Sequence, residues 1–133
     1  MHLHALLHVP FEDLAGIETW ALGRGTTIGR TRLYDDQPLP PVESIDALVV
    51  LGGPMNIYEE DAYPWLAREK AFIAQAIERG CMTVGVCLGA QLIADVLGGP
   101  VTRNAHKEIG WFPVTWTPQG AASPLTAGLP GEL

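Results

Sequence analysis

The sequence predicts an α/β protein with a doubly wound, mainly parallel sheet of the flavodoxin-like type. Two observations lead to this prediction. Strand patterns and helix patterns alternate along the first three quarters of the chain, which is typical of βαβ units. In addition, residues 45–51 are apolar almost throughout, as expected for a strand that helices cover on both faces.

The first part of the chain predicts a strand, a helix and a second strand. Residues 3–9 are apolar and end next to a proline, so they form the first strand. An amphipathic helix follows, with Glu12 and Asp13 at its start and Gly23 at its end. Residues 26–33 are rich in β-forming residues and predict the second strand, before a proline-rich polar connection.

The third strand, residues 45–51, is followed by a Gly-Gly-Pro turn and a polar, acidic loop. Residues 56–63 of this loop form either a lid or a solvated connection, and the second interpretation is preferred. Pro64 suits the first position of a helix because it has no N–H that would lack an acceptor there. Apolar residues at helical spacing continue to Arg79, where this second helix is predicted to end.

Residues 82–86 predict the fourth strand, which leads directly into Cys87 and a third helix that ends at two glycines. Beyond it, the region around residues 111–116 predicts short strands and loops, and no regular element is expected from Ser123 onward. All 133 residues are expected to form one domain, because a chain of 14.3 kDa with 47% hydrophobic residues suits a single core.

Charge and apolar patterning exclude two classes of partner. The chain has 8 Lys and Arg residues against 15 Asp and Glu residues, a net charge of −7, which argues against binding nucleic acid. No apolar run approaches the roughly 20 residues that span a bilayer, and the N-terminus lacks a secretory signal pattern. The two cysteines, Cys81 and Cys87, are too far apart along an extended strand to pair, so a reducing, cytoplasmic location is predicted.

The strand-to-helix junction at Cys87 has the pattern of a nucleophile elbow. Glycines stand two positions before and after Cys87, in G-V-C-L-G-A-Q, where side chains would collide with the neighbouring strand and helix. The helix dipole favours the thiolate, and the N–H of Leu88 points at the oxygen of an attacked carbonyl. Gly53 is the predicted second oxyanion donor, and Gly52 shapes its turn.

The alternative for any cysteine at a strand end is a small buried apolar residue. For Cys81 this structural role is preferred. For Cys87 the combination of the two glycines, the Gly-Gly-Pro turn and Gln91 one helical turn later favours a catalytic role.

Several motifs together resemble the class I (triad) glutamine amidotransferases, in the stand-alone branch related to the glutaminase domain of GMP synthetase. The motifs are G-G-P-M-N, Y-P-W-L, E-K-A-F-I, A-I-E-R-G, G-V-C-L-G-A-Q-L-I-A, L-G-G and K-E-I-G-W. They extend from about residue 44 to residue 130. The resemblance implies a flavodoxin-like fold of the class I glutamine amidotransferase type.

The resemblance also implies a reaction. Cys87 would attack the side-chain amide of glutamine, release ammonia and form a glutamyl thioester that water hydrolyses. Gly53 and Leu88 would form the oxyanion hole, and Gly52 and Gln91 would bind glutamine or a γ-glutamyl compound. The ammonia would pass to a synthetase domain or partner, and no cofactor is implied.

The family's triad is completed by a His-x-Glu pair well downstream of the cysteine, so the chain is expected to be incomplete at its C-terminal end and inactive by itself. His106 is the one histidine after Cys87. It adjoins a motif that does not supply the base in the family, and it is expected not to fit the His-x-Glu pair. His2, His4 and His8 share a strand face without carboxylate or cysteine partners, which disfavours a metal site. Only His8 lies near the expected pocket.

Two further interpretations stay open. An incomplete sheet would expose an edge and an apolar face, so the chain could be a non-catalytic module that binds a partner or self-associates. Alternatively, the fold could serve a γ-glutamyl hydrolase, or an intracellular protease or chaperone of the same superfamily. Gln91 and the Gly-Gly-Pro turn disfavour the protease interpretation.

Overall fold

The computed structural model describes residues 1–131, which fall into two compact units divided after Thr102. The first unit contains one sheet of four parallel strands in the order β2-β1-β3-β4. The strands are β1 His2–Leu7, β2 Thr27–Arg32, β3 Ala47–Val50 and β4 Met82–Gly85. The predicted α/β class with a parallel sheet is therefore confirmed.

The strand order places a topological switch at the centre of the sheet. β1 pairs with β2 on one side and with β3 on the other, so Leu3 lies opposite both Ile28 and Ala47. The chain therefore winds outward from β1 in both directions. In such sheets ligands bind beyond the carboxyl ends of the strands where the winding direction changes. The ends of β1 and β3 mark that point here.

Helices cover both faces of the sheet. Helix α1, Gly16–Leu22, lies on one face, and helices α2, Trp65–Glu78, and α3, Leu88–Val96, lie on the other. Alternate residues of β1 point into two separate cores: Leu3, Ala5 and Leu7 into the α1 side and Leu6 into the α2 and α3 side. This two-sided burial explains why the central strands are apolar without alternation.

Several predicted boundaries differ from the structure, and those of α1 and β1 bear on the site. Helix α1 begins at Gly16 rather than near Glu12, because Asp13 Oδ1 accepts the N–H of Ala15 at 2.8 Å and forms a local turn first. Strand β1 ends at Leu7, two residues before the predicted end, so His8 lies in the turn beyond the strand. The second and third helices were predicted correctly, and their ends differ from those of α2 and α3 by one to a few residues.

The second unit, described over residues 103–131, differs from the prediction. It holds a short helix that was not predicted, α4, Pro118–Ala121. It also holds a 3-10 turn, Pro124–Thr126, within the stretch from Ser123 onward that was expected to be irregular. Side-chain caps explain both, since Thr117 accepts from the N–H of Gly120 and Ser123 accepts from that of Leu125. The short strands expected around residues 111–116 are not found in this part of the described chain.

Strand β4 lies at the edge of the sheet, and one of its faces is apolar and open. Met82, Val84 and Val86 are 59%, 48% and 42% exposed. With Trp20 and Ile17 of α1, the first two line an apolar groove of about 350 Å³. Among the described residues, no helix has the length and apolar character needed to cross a membrane.

Candidate active site

Cys87 lies in a sharp turn between β4 and α3, and its side chain is exposed. Its backbone has φ 52° and ψ −110°, a conformation that non-glycine residues rarely adopt. Holding a cysteine there costs about 1–3 kcal/mol, which the surrounding packing must supply. The turn presents the thiol beyond the carboxyl edge of the sheet.

The glycines on either side of Cys87 permit close packing of backbone on backbone. A Cβ on Gly85 would lie 2.5 Å from the Ala90 nitrogen, and a Cβ on Gly89 would lie 2.1 Å from the Val50 carbonyl oxygen. Both contacts are with main-chain atoms, which cannot rotate away as a side chain could. The two close contacts explain the spacing of the glycines: Gly85 lets β4 lie against α3, and Gly89 lets α3 lie against β3.

The Gly-Gly-Pro turn after β3 lies against Cys87. A Cβ on Gly52 would lie 3.5 Å from Cys87 Cβ, and a Cβ on Gly53 would lie 3.0 Å from a methyl carbon of Leu88. The structure therefore brings together the two turns that the sequence singled out. Their proximity follows from pairing of β3 with β4, in which Val50 lies opposite Gly85.

Each of these two turns carries a backbone N–H that is available as a donor. Within residues 1–131, neither the N–H of Gly53 nor that of Leu88 has a hydrogen-bond acceptor. Leu88 is the first residue of α3, where an N–H has no partner inside the helix. An N–H without an acceptor is the kind of group that stabilises an oxyanion.

Gln91 lies one turn into α3, and its side chain is exposed. Its N–H donates to the carbonyl oxygen of Cys87 at 3.3 Å. The two residues therefore stand on the same side of the helix, as the spacing predicts.

Three residues of this region are not predicted from the sequence as site residues. The sequence marks His8 only by its position near the strand end, and it does not single out Glu12 or Glu69. Glu12 Oε2 would lie 2.8 Å from a Cβ on Gly52, so this carboxylate adjoins the turn beside Cys87. Glu69 is 0% exposed in the apolar face of α2, four residues after Trp65. A charged residue on a buried helical stripe is the signal that could have revealed it.

His8 and Glu69 form a buried pair under the Gly-Gly-Pro turn. His8 Nε2 donates to Glu69 Oε1 at 2.8 Å, and Nδ1 donates to the carbonyl oxygen of Gly52 at 2.9 Å. Burial alone would lower the pKa of His8. The hydrogen bond and charge of Glu69 outweigh it, with help from Gly52 and the charge of Glu12, and raise the pKa above its usual value.

The other histidines of β1 lie away from Cys87. His2 Nδ1 is 2.9 Å from the hydroxyl of Thr27, and His4 Nε2 is 2.9 Å from that of Thr31, both on β2. Burial, and then the nearby ring of His2, lower the pKa of His4 to about 4. Across residues 1–131, no three His, Cys, Asp or Glu side chains come together as a metal site would require.

The acidic loop is fixed to the first unit by several contacts. Ile57 is 1% exposed, and the hydroxyl of Tyr58 donates to Asp95 at 3.2 Å. Lys70 bonds Glu60 at 3.0 Å and Asp95 at 3.2 Å. These ion pairs join the loop to α2 and α3.

Residues 106–108, His-Lys-Glu, have the spacing of a His-x-Glu pair. The expectation that His106 does not fit such a pair is therefore wrong on spacing. The remaining argument against His106 as the base is its position in the chain, beside a motif that does not supply the base in the family. His106 and Glu108 are exposed in the second unit. Their spacing makes His106 a residue to test by substitution.

Comparisons with known proteins identify relatives over most of the chain. A family model described as "Glutamine amidotransferase class-I" matches residues 23–117. The glutamine amidotransferase-like protein YfeJ of Salmonella typhimurium is 40% identical over 131 residues, covering 96% of this chain and 55% of that protein. A GMP synthase (glutamine-hydrolyzing) of Streptomyces avermitilis is 37% identical over 86 residues, covering 65% of this chain and 15% of that protein.

Solved structures agree with these sequence matches. A glutamine amidotransferase from Thermotoga maritima superposes on the whole chain with a TM-score of 0.91 and 30% identity, and 57% of that protein is covered. A glutamine amidotransferase from Methylobacillus flagellatus has a TM-score of 0.78 at 28% identity, covering 84% of this chain and 44% of that one. The chain thus spans little more than half the length of YfeJ and of the Thermotoga protein.

Proposed function

The chain belongs to the class I glutamine amidotransferase family, and on this premise we propose that Cys87 is the nucleophile that attacks the side-chain amide of glutamine. The observation that carries the proposal is the position of the thiol. It is exposed in a strained turn, directly before the first N–H of α3 and against the Gly52-Gly53 turn. A buried structural cysteine would need neither the strain nor the donors.

The reaction proceeds by acyl transfer. The Cys87 thiolate attacks the amide carbon, and the carbonyl oxygen becomes an oxyanion that accepts from Gly53 N–H and Leu88 N–H. The carbon–nitrogen bond then breaks, and the nitrogen takes up a proton and leaves as ammonia. Water hydrolyses the glutamyl thioester, which releases glutamate and restores the thiol. Each oxyanion donor typically contributes about 3 kcal/mol to such a transition state.

Gln91 and Gly52 are the proposed glutamine-binding residues. The side chain of Gln91 projects from the first turn of α3 on the Cys87 side, where an amide could hydrogen-bond the substrate. Gly52 leaves space beside Cys87 Cβ that a side chain would occupy. A γ-glutamyl compound would satisfy the same contacts, since it carries the same acyl group.

We also propose an ammonia-accepting partner, self-association and a reducing, cytoplasmic location. An ammonia-accepting synthetase is suggested by the GMP synthases among the relatives. The apolar face of β4 supports self-association, and the two unpaired cysteines support a reducing, cytoplasmic location. Family membership favours an amidotransferase over the non-catalytic module.

Ammonia and glutamate release from glutamine tests the proposal, with Cys87→Ala compared with Cys81→Ala. Because the chain by itself is expected to be inactive, reaction of Cys87 with a glutamine analogue is the first readout. In a longer protein that carries this chain and releases ammonia, Cys87→Ala should reduce that release to background, a fall of about 10⁴-fold or more. Cys81→Ala should retain activity because Cys81 packs against the core of the first unit. Release that persists in Cys87→Ala would overturn the proposal, as would a wild-type protein that neither releases ammonia nor reacts at Cys87 with a glutamine analogue. A His106→Ala variant measures whether the His106 triplet contributes to the rate.

A further inference from the structure

The His8–Glu69 pair takes no part in the proposed acyl transfer at Cys87, although it lies directly beneath the proposed oxyanion turn. Both side chains are 0% exposed. His8 follows β1 at the switch point of the sheet, and Glu69 projects from the middle of α2. A buried ion pair is costly to desolvate and is weak evidence for stability, so its location suggests another role.

The ring of His8 is held in one orientation by three contacts. The carbonyl oxygen of Gly52 can only accept, so Nδ1 must carry a hydrogen, and Nε2 donates to Glu69. The ring also stacks on Trp65 with 5.3 Å between centroids and 28° between planes. Both ring nitrogens are therefore occupied, and His8 has no free nitrogen with which to act as a base toward Cys87.

The bond to Gly52 fixes the peptide that joins Gly52 to Gly53. Among the described residues every peptide is trans, so the C=O of Gly52 and the N–H of Gly53 point in opposite directions. With the oxygen directed at the buried ring, the N–H is directed away from it. That N–H belongs to the turn that lies against Cys87, and it is the donor assigned to the oxyanion in the proposed reaction.

Without the bond to His8, this peptide could turn over at small cost. Rotation requires changes in ψ of Gly52 and φ of Gly53, and glycine tolerates nearly all such values. A turned peptide would present a carbonyl oxygen, in place of an N–H, to the developing oxyanion. The two glycines that allow close approach to Cys87 thus also leave the orientation of the donor unspecified.

We propose that the His8–Glu69 pair is a positioning device, which holds the Gly52–Gly53 peptide so that the Gly53 N–H faces the oxygen of the substrate carbonyl. The proposal rests on the proposed function of Cys87. Glu69 orients the His8 ring, the ring binds the Gly52 oxygen, and the planar peptide transmits that orientation to the donor. Neither side chain touches the substrate, so neither is a catalytic residue.

The test compares variants that keep or remove the bond to Gly52. A single His8→Leu change would leave Glu69 buried without its partner, so the double variant His8→Leu with Glu69→Leu removes both charges and preserves the fold. Glu69→Gln is the conservative variant, because a neutral His8 can still donate from Nδ1 while Nε2 accepts from the amide. His4→Gln is the matched control. It changes a buried histidine on β1, the strand that precedes His8, and His4 bonds Thr31 on β2 instead of Gly52.

Two probes of Cys87 separate positioning from exposure of the thiol. A diazo-ketone analogue of glutamine needs the oxyanion site, whereas iodoacetamide needs only an accessible thiolate. In the double variant the maximal rate of labelling by the analogue should fall about tenfold or more, with its half-saturating concentration and the iodoacetamide rate unchanged. Glu69→Gln should recover most of the rate, and His4→Gln should equal the wild type.

Equal loss with both probes, or no loss with either, would overturn the proposal. The Gly53 amide resonance provides a readout that does not depend on glutamine chemistry. It should move or split in the double variant and remain in place in Glu69→Gln and His4→Gln. If the analogue fails to label the wild type, the proposed function fails, and the Gly53 resonance alone decides whether the pair positions the peptide.

Discussion

Replacing Gly89 by alanine should both destabilise the first unit and disturb Cys87. The new Cβ would lie 2.1 Å from the Val50 carbonyl oxygen and 2.7 Å from its carbon, whereas such contacts normally exceed about 3.3 Å. Helix α3 must therefore move away from β3 by roughly 1 Å, because neither contact atom belongs to a mobile side chain. That shift carries Cys87 and Leu88 with the helix.

The free energy of unfolding is expected to fall by about 3 kcal/mol. This value is at the upper end for overpacking, because the backbone must move. With a urea m-value of about 2 kcal/mol/M, the unfolding midpoint should fall by about 1.5 M. Gly16→Ala is the matched control, since it has open space around it and starts α1, and it should raise stability by about 0.5 kcal/mol. A Gly89→Ala midpoint within 0.3 M (about 0.6 kcal/mol) of the wild type would refute the packing argument.

Three further predictions concern other residues. His4→Gln should flatten the acid dependence of stability. The pKa of His4 is lowered from 6.5 to about 4 in the folded protein. Folding stability of about 3 kcal/mol that is present above pH 6.5 is therefore lost as the pH falls toward 4. If the urea midpoint of His4→Gln falls with pH as steeply as that of the wild type over this range, the prediction is contradicted. Cys87→Gly should have a free energy of unfolding about 1 kcal/mol above that of Cys87→Ala, because glycine relieves the φ of 52°. With the same m-value this raises the urea midpoint by about 0.5 M, and equal midpoints would show that the turn is unstrained. Val84→Lys should have a free energy of unfolding within about 0.5 kcal/mol of the wild-type value, and it should reduce any self-association seen by sedimentation velocity. Unchanged association would show that the contact between copies does not involve the open face of β4.

The fold was predictable from the sequence because local and long-range signals agree. The apolar runs of β1 and β3, and the helix that starts after Pro64, are each consistent with burial in a parallel sheet. The predicted start of helix α1 is too early, because the side chain of Asp13 caps a local turn instead of the helix. Such competition between a turn and a helix start depends on backbone angles that composition does not reveal.

The site was predictable where it depends on backbone packing. Gly85 and Gly89 flank Cys87 at positions where the chain needs glycine, so their spacing is visible in the sequence. Glu69 and His8 pair across 61 positions of sequence, and only the packing of α2 on the sheet brings them together. No local pattern joins them, although the charge in the apolar stripe of α2 was an available signal.

The central claim is that Cys87 is a nucleophile specialised for glutamine. Selective labelling of this thiol tests the claim most directly. The protein would be treated with the diazo-ketone analogue, with and without excess glutamine, and both cysteine peptides examined by mass spectrometry. Burial, and then the charge of Asp46, raise the pKa of Cys81, so this thiol is an internal control that should stay unlabelled. The account predicts stoichiometric labelling of Cys87 that glutamine prevents. Equal labelling of Cys81 and Cys87, or labelling that glutamine does not slow, would contradict it.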